Sequence, residues 1–266
     1  NLKWILTSGI FFGLALGTKF NILFSILAIG PWLVFLLILK KLKPFNLIKI
    51  SLGGILAFII GITIFIGSWP YLWADPVARI QGVFSFYKGI GASGENAINI
   101  YPLQWIAYTT PLIILTLFLI GLIVAIYKVF KEKDDFSFLI ILWLLVPILR
   151  EVMPGASFYG GVRQIMEYIP AMAMLAGIGA QAIYNKFPKK LTIVFLLLSF
   201  VPITLKLISI HPNENTYFNH LIGGLSGAKK DDLPFWGFSF GAPYRQGIKW
   251  VNDHAEKGSA LVYARE

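Results

Sequence analysis

Long apolar runs separated by short polar stretches dominate the chain. A transmembrane helix needs about 20 mostly apolar residues to cross roughly 30 Å of hydrocarbon. Seven segments approach or reach that length, at 2–17, 22–39, 47–67, 105–127, 136–149, 164–184 and 191–210. The first and fifth are short, which favours tilted or partly re-entrant helices. The pattern therefore predicts an all-α polytopic membrane protein with about seven transmembrane helices.

The composition changes after the last apolar run. Residues 1–210 are predicted to form the membrane domain, and residues 211–266 gain Asn, Asp, Gly and Pro. A helix predicted at 243–254 and a strand at 261–263 indicate a small extracytoplasmic α/β segment, truncated where the chain stops. Because the chain starts at Asn1 and stops just after a strand-like run, we expect it to be a piece of a longer protein, incomplete at both ends.

Composition excludes several classes of protein. The 57% hydrophobic content and mean hydropathy of +0.72 are too high for a soluble globular domain. The net charge of +10 comes from short Lys and Arg clusters between apolar runs, which indicates membrane orientation and not nucleic-acid binding. The absence of cysteine excludes disulfides, thiolate metal sites and a cysteine nucleophile.

The lysine clusters predict the orientation of the chain. Lysines at 3, 40–49, 128–133 and 186–190 fall on one side if all seven segments cross, and basic residues in short loops favour the cytoplasm. The turn at 18–21, the loops 68–104 and 150–163, and the tail then lie on the extracytoplasmic face. We therefore expect a multi-pass protein of the cell membrane with an extracytoplasmic C-terminal tail.

The loop 68–104 is rich in aromatic residues, including Trp69 and Trp73, which settle at headgroup level. Asp75 followed by Pro76 predicts the start of a short interfacial helix that continues to about Tyr87. Two interpretations stay open for this loop. One is an interfacial anchor without chemistry, and the other is a lid or acceptor groove over an active site.

Three cations lie on the face where basic residues are disfavoured. Lys19 is flanked by two apolar segments, so it either snorkels to the headgroups or holds a lipid-linked phosphate. Arg150 and Arg163 bracket one short loop, and the planar guanidinium suits phosphate. Alternatively, Glu151 and Glu167 neutralise these two arginines.

Other candidate chemistry is weak. No G-x-S-x-G, H-E-x-x-H, Walker or G-x-G-x-x-G motif is present, so nucleotide chemistry is not supported. The three histidines lack metal-ligand spacing, so we expect no metal site, although the need for a divalent ion is left open. The carboxylates available as a general base on this face, none of them compelling, are Asp75, Glu95, Glu151, Asp231 and Asp232.

Four stretches together carry a resemblance. They are GLALGTKF at 13–20, WPYLWADP at 69–76, YGGVRQIMEYIP at 159–170 and HPNENTYFNHLIGG at 211–224. In order and spacing they resemble the C-terminal half of bacterial and archaeal membrane glycosyltransferases of the dolichyl-phosphate-mannose protein mannosyltransferase type (glycosyltransferase family 39, GT-C fold). The resemblance covers nearly the whole chain.

The resemblance implies transfer of a mannose-like sugar from a polyprenyl-phosphate donor to a protein or cell-envelope acceptor, without an evident cofactor. It implies that Lys19 and Arg163 bind the donor phosphate, to which the residue pattern adds Arg150. Gly160 and Gln164 depart from an aspartate and a histidine of the family. The family's catalytic carboxylate lies in an earlier loop, upstream of residue 1, so this part alone is expected to be inactive. The candidate residues of a donor or acceptor cleft are Trp69, Trp73, Asp75, Tyr159, His211, Tyr217 and Asn219.

Two rival functions remain. A transporter or flippase also buries cations, but usually shows broken helices in paired positions and charges at the bilayer midplane. A non-catalytic membrane subunit for envelope assembly would share the architecture. The collection of charges at one face favours the enzyme over the carrier.

Overall fold

The computed structural model describes residues 2–91, 94, 96–157, 160–234, 236, 244–256 and 258–259, and it contains no strand among them. Short 3-10 turns and one π-helical turn join the α-helices. The α-helices of these residues are α1 (Leu2–Thr18), α2 (Ile26–Ile38), α3 (Pro44–Ser68), α4 (Pro76–Gly91), α5 (Tyr101–Thr109), α6 (Leu112–Tyr127), α7 (Asp135–Val152), α8 (Tyr168–Lys186), α9 (Lys189–Ile210), α10 (Gly224–Lys230) and α11 (Tyr244–His254).

Four helical stretches are long and apolar enough to cross a membrane. They are Phe20–Ile38, Asn46–Ser68, Leu112–Glu132 and Lys189–Ile210. The described residues contain helices as their only regular secondary structure, and these apolar helices indicate a membrane-associated protein. The other three predicted segments coincide with α1, α7 and α8, of which α1 is apolar but short, with 17 residues. The number of crossings stays a prediction.

The segment predicted as one span at 105–127 is two helices. α5 ends at Thr109 and α6 begins at Leu112, with Thr110 in an extended conformation between them (φ −84°, ψ 131°). Pro111 explains the break, because its ring disfavours helical geometry at the preceding residue and it lacks the N–H of a helix interior. The prediction of an unbroken helix here was wrong.

The predicted loop 68–104 is largely helical. α3 continues to Ser68, α4 occupies the middle of the segment, and α5 begins at Tyr101. The predicted cap is confirmed, since Asp75 Oδ1 accepts a hydrogen bond from the Ala78 backbone N–H at 3.0 Å. The helix runs past Tyr87 to Gly91. In the tail the predicted helix is present as α11, while position 243 and the predicted strand at 261–263 lie outside the described residues.

Two helix pairs pack through glycines. A Cβ on Gly13 of α1 would lie 2.5 Å from the Gly61 carbonyl oxygen of α3. A Cβ on Gly179 of α8 would overlap the Leu117 carbonyl of α6. Small residues allow membrane helices to approach closely, where dispersion and weak backbone contacts replace the hydrophobic effect. The α6–α8 pair and α7 enclose the main core, and Leu175, Ile165 and Ile140 are almost fully buried there.

Candidate functional site

Lys19 marks the end of α1. Its backbone N–H donates to the Ala15 carbonyl at 2.9 Å, after which the chain becomes extended and enters the 3-10 helix Phe20–Ser25. The next residue, Phe20, stacks on Tyr87 of α4 with 5.3 Å between ring centroids and meets Phe84 edge-on at 4.9 Å. This aromatic contact fixes the turn against α4. The Lys19 side chain is 38% exposed.

A tight turn before α8 lies opposite Lys19. Gly160 and Gly161 have φ values of 69° and 66°, which glycine adopts without strain. A Cβ on Gly161 would lie 2.8 Å from the Trp105 ring, so glycine is also required for space. The residues that follow form a 3-10 turn, and Ile165 anchors it in the core with no exposed surface. We call residues 161–167 the carbonyl turn.

Side chains from three elements converge on the carbonyl turn. Lys19 Nζ donates to the Arg163 carbonyl oxygen at 2.6 Å. Arg150 Nη2 donates to the Gln164 carbonyl oxygen at 2.5 Å, and Asn21 Nδ2 donates to the same oxygen at 3.2 Å. The structure thus brings together the three cations that the sequence nominated. We call Lys19, Arg150 and Arg163 the basic cluster.

Acidic side chains accompany the basic cluster. Arg150 Nε donates to Glu151 Oε1 at 3.0 Å, and the Lys19 ammonium lies 3.5 Å from Glu167 Oε1. The predicted alternative of neutralisation by these two acids therefore applies to Lys19 and Arg150. These contacts pair Lys19 and Arg150 with acids, and the Arg163 side chain is exposed.

The electrostatic surroundings act on Lys19 in opposite directions. Partial burial lowers the pKa of its ammonium, and the nearby Arg150 and Arg163 guanidinium groups act in the same direction. The Glu167 carboxylate opposes the shift by raising the pKa, and the net change is a decrease. Desolvation is the largest of these influences, and the Glu167 carboxylate partly offsets it.

A cavity of about 270 Å³ opens beside the basic cluster. Arg150, Glu167 and Asn21 form its polar end, and Phe24 holds the Arg150 guanidinium 4.9 Å from its ring centroid. Lys19 and Arg163 do not line this cavity, so they border it without facing into it. Apolar side chains from α2 and α7 line the rest of the cavity: Ala28, Ile29, Leu139, Trp143, Val146 and Pro147.

The candidate cleft residues form two separate groups. Trp69, Trp73 and Asp75 lie at the junction of α3 and α4. Trp73 is 62% exposed and donates from Nε1 to the Ile66 carbonyl oxygen at 2.9 Å, whereas Asp75 acts as the α4 cap. Trp69 packs on Phe65 near the Lys19 turn. These contacts give Trp73 and Asp75 structural roles.

The second group lies at the end of α9. His211 Nδ1 is 2.5 Å from Glu214 Oε1 on an exposed surface, and Tyr217 lines a larger groove. Asn219 is 2% exposed and donates from Nδ2 to the carbonyl oxygens of Ala107 and Thr110, at 2.6 and 2.7 Å. Its hydrogen bonds make it a structural residue. Tyr159 and Glu95 lie outside the described residues.

Comparisons of the chain with protein-family models, curated proteins and solved structures give no match. The described residues contain no group of three or more His, Cys, Asp or Glu side chains that could hold a metal ion. The residues of the candidate site offer hydrogen-bond donors from Lys19, Asn21 and Arg150.

Two partners in this site were missed from the sequence. Asn21 sits two positions after Lys19 inside an apolar run, and an amide there is a signal of a buried hydrogen bond. Phe24 follows one turn later and supports Arg150. The hydrophobic pattern placed Asn21 at the end of the turn 18–21 and Phe24 in a plain membrane span at 22–39, so neither was recognised as a partner of the cations.

Proposed function

We propose that the chain is the membrane part of a glycosyltransferase that takes a mannose-like sugar from a polyprenyl-phosphate donor and transfers it on the extracytoplasmic face. In this proposal about seven segments cross the bilayer, and the basic cluster faces the outer headgroup region. The acceptor is a protein or a cell-envelope glycan or lipid.

One observation carries the proposal. The resemblance and the charge pattern predicted Lys19 and Arg163 as phosphate ligands, although the two residues are 144 positions apart in the sequence. The Lys19 ammonium donates a hydrogen bond to the Arg163 backbone carbonyl at 2.6 Å. Cations are disfavoured on this side of a membrane unless they serve a function. Their convergence at the end of three helices supports a site for an anion carried by a lipid.

The charges fit the chemistry of such a transfer. Displacement at the anomeric carbon breaks the bond between the sugar and the phosphate oxygen, and negative charge develops on the departing polyprenyl phosphate. Donors aimed at that charge stabilise the transition state. In this proposal the Lys19 ammonium and the Arg163 guanidinium are those donors. The carboxylate that deprotonates the acceptor belongs, in this proposal, to a part of the protein upstream of residue 1.

The contact between Lys19 and Glu167 is compatible with ligand binding. At 3.5 Å it is longer than a normal hydrogen bond, whereas the contact with the Arg163 carbonyl is short. A phosphate oxygen would compete for the ammonium with Glu167, whose carboxylate oxygens are buried and have no other hydrogen-bond partner among the described residues. Arg150 is held more firmly, at 15% exposure, and is better suited to positioning the carbonyl turn.

The test uses the full-length protein in membranes supplied with a radiolabelled polyprenyl-phosphate sugar. Lys19→Ala and Arg163→Ala should each reduce transfer about 100-fold or more, the range found when a single oxyanion donor is removed. Lys190→Ala, which removes an exposed lysine from the first turn of α9, is the matched control and should leave transfer unchanged. Full activity in both test variants would overturn the proposal.

A further inference from the structure

A second, larger groove lies between α9 and the start of α6, and it is separate from the basic cluster. Its volume is about 840 Å³, within the range of roughly 300–1,000 Å³ that ligand sites occupy. None of its lining residues lines the cavity beside Arg150. Much of its wall is apolar and includes Leu112, Pro202, Ile203 and Leu205.

One charged side chain lines this groove. Lys206 lies in α9 five residues before His211, and none of the described lining residues is Asp or Glu. The nearest acid along the chain, Glu214, is engaged by His211 at 2.5 Å. Within the described part of the chain, the Lys206 ammonium forms no ion pair. The groove therefore has a positive end without a neutralising partner.

The depth of Lys206 matches a phospholipid phosphate. With a rise of 1.5 Å per residue, Lys206 lies about 6 Å below the end of α9 at Ile210. A lysine stem spans that distance, so the ammonium reaches headgroup level while the stem covers the apolar wall. His220 and Ser209 at the same end of the groove offer further polar contacts. The polar and apolar parts are thus arranged along the membrane normal, as in a lipid.

The groove is both accessible and well formed. None of the window of α9 that is long enough to span the membrane is buried inside the protein, so an acyl chain can enter from the bilayer. The opposite wall is fixed, because Asn219 ties residues 217–221 to the junction of α5 and α6 through the Ala107 and Thr110 carbonyls. A preformed wall lowers the entropic cost of holding a ligand.

We propose that this groove binds an anionic phospholipid of the outer leaflet, with one acyl chain against Pro202, Ile203 and Leu112 and the phosphate on Lys206. The charge complementarity selects an anionic over a zwitterionic headgroup, because a choline group would place a second positive charge near the ammonium. The proposal does not depend on glycosyl transfer, because Lys206 lies outside the basic cluster, but the choice of leaflet rests on the orientation given under the proposed function.

The test is native mass spectrometry of the purified full chain with added phosphatidylglycerol or phosphatidylcholine of equal acyl length. Wild-type protein should retain phosphatidylglycerol preferentially. Lys206→Gln should reduce this retention about fivefold, the contribution expected of one basic residue at a lipid headgroup. Lys190→Gln, on the same helix but outside the groove, should retain phosphatidylglycerol as the wild type does.

A second variant tests the apolar part. Ile203→Trp fills the groove and should reduce retention of both lipids, with circular dichroism confirming that the helices persist. Equal retention of the two lipids by the wild type would overturn the proposal. An unchanged Lys206→Gln variant, or an equal loss in Lys190→Gln, would overturn it as well.

Discussion

Arg150 and Glu151 are adjacent in the last turn of α7, yet the Arg150 Nε and Glu151 Oε1 atoms lie 3.0 Å apart. Neighbouring side chains on a helix normally point about 100° apart and do not meet. They meet here because the Arg150 guanidinium folds back to reach the Gln164 carbonyl oxygen. The Arg150 side chain is 15% exposed and that of Glu151 is 10% exposed, so each charge is largely shielded from water and is compensated by the other.

Arg150→Met should therefore destabilise the protein strongly. Removing one partner of a buried ion pair leaves the other charge uncompensated, and we expect a loss of about 3 kcal/mol in the free energy of unfolding. The double variant Arg150→Met with Glu151→Gln should recover part of that loss. Chemical unfolding in detergent measures the free energy of unfolding of each variant. Equal stability of the single and double variants would contradict the coupling between Arg150 and Glu151.

The lowered pKa of Lys19 predicts a dependence of stability on pH. Because burial favours the neutral amine in the folded protein, the unfolded chain binds more protons between the folded pKa and the unperturbed value of 10.5. The free energy of unfolding of the wild type, relative to Lys19→Gln, should then increase as pH rises through that window. Below the folded pKa the difference should be constant. Parallel pH profiles across the window would contradict this assignment.

Close packing of α6 and α8 predicts that Gly179→Ala destabilises the protein. The added methyl would overlap the Leu117 carbonyl, and we expect a cost of at least about 1–3 kcal/mol. Gly177→Ala on the same helix is the matched control, since a Cβ there meets nothing within 4 Å. It should be neutral or slightly stabilising because alanine favours helices. Thermal unfolding in detergent distinguishes the two, and equal effects would argue against the packing.

Replacement of Asn219 should destabilise the protein. Its Nδ2 donates hydrogen bonds to two backbone carbonyls, and its Oδ1 accepts from the Leu221 N–H at 2.9 Å. Asn219→Ala should lower the free energy of unfolding by about 2–3 kcal/mol, since buried acceptors lose their donors. Asn252→Ala, at an exposed position of α11, should change it by less than about 0.5 kcal/mol. An unchanged free energy of unfolding in Asn219→Ala would contradict this prediction and would indicate that water replaces the amide.

The predicted orientation can be tested directly, because the chain contains no cysteine and single-cysteine variants carry one label. Lys88→Cys and Asn215→Cys, both at exposed positions, should react with a membrane-impermeant maleimide in intact cells. Lys43→Cys and Lys131→Cys should react only after permeabilisation. The reverse pattern would place the basic cluster on the cytoplasmic face.

Local signals in the sequence predicted much of the fold. The apolar runs located the helices, and Asp75 with Pro76 located the start of α4, because caps and periodicity depend on neighbouring residues. The break at Pro111 was missed because the apolar run continues through it. Composition alone does not show whether a proline in such a run kinks a helix or ends it.

The site was only partly predictable. Charge on the disfavoured face identified Lys19, Arg150 and Arg163, since that argument needs no tertiary structure. Their partners depend on contacts between distant residues, and the sequence offers no signal that the Gln164 carbonyl receives both Arg150 and Asn21. The sequence also could not show that Trp69 and Tyr217 belong to two separate groups, because that separation depends on the tertiary structure.

The geometry of the carbonyl turn has a consequence for how the protein responds to a ligand. Only the two backbone dihedrals of Gln164 separate the oxygen held by Lys19 from the oxygen held by Arg150, because the peptide groups on either side are planar. Any rotation of these dihedrals that moves the first oxygen therefore also moves the second. A ligand that displaced the oxygen at the end of α1 would for this reason also displace the one that receives Arg150 at the end of α7.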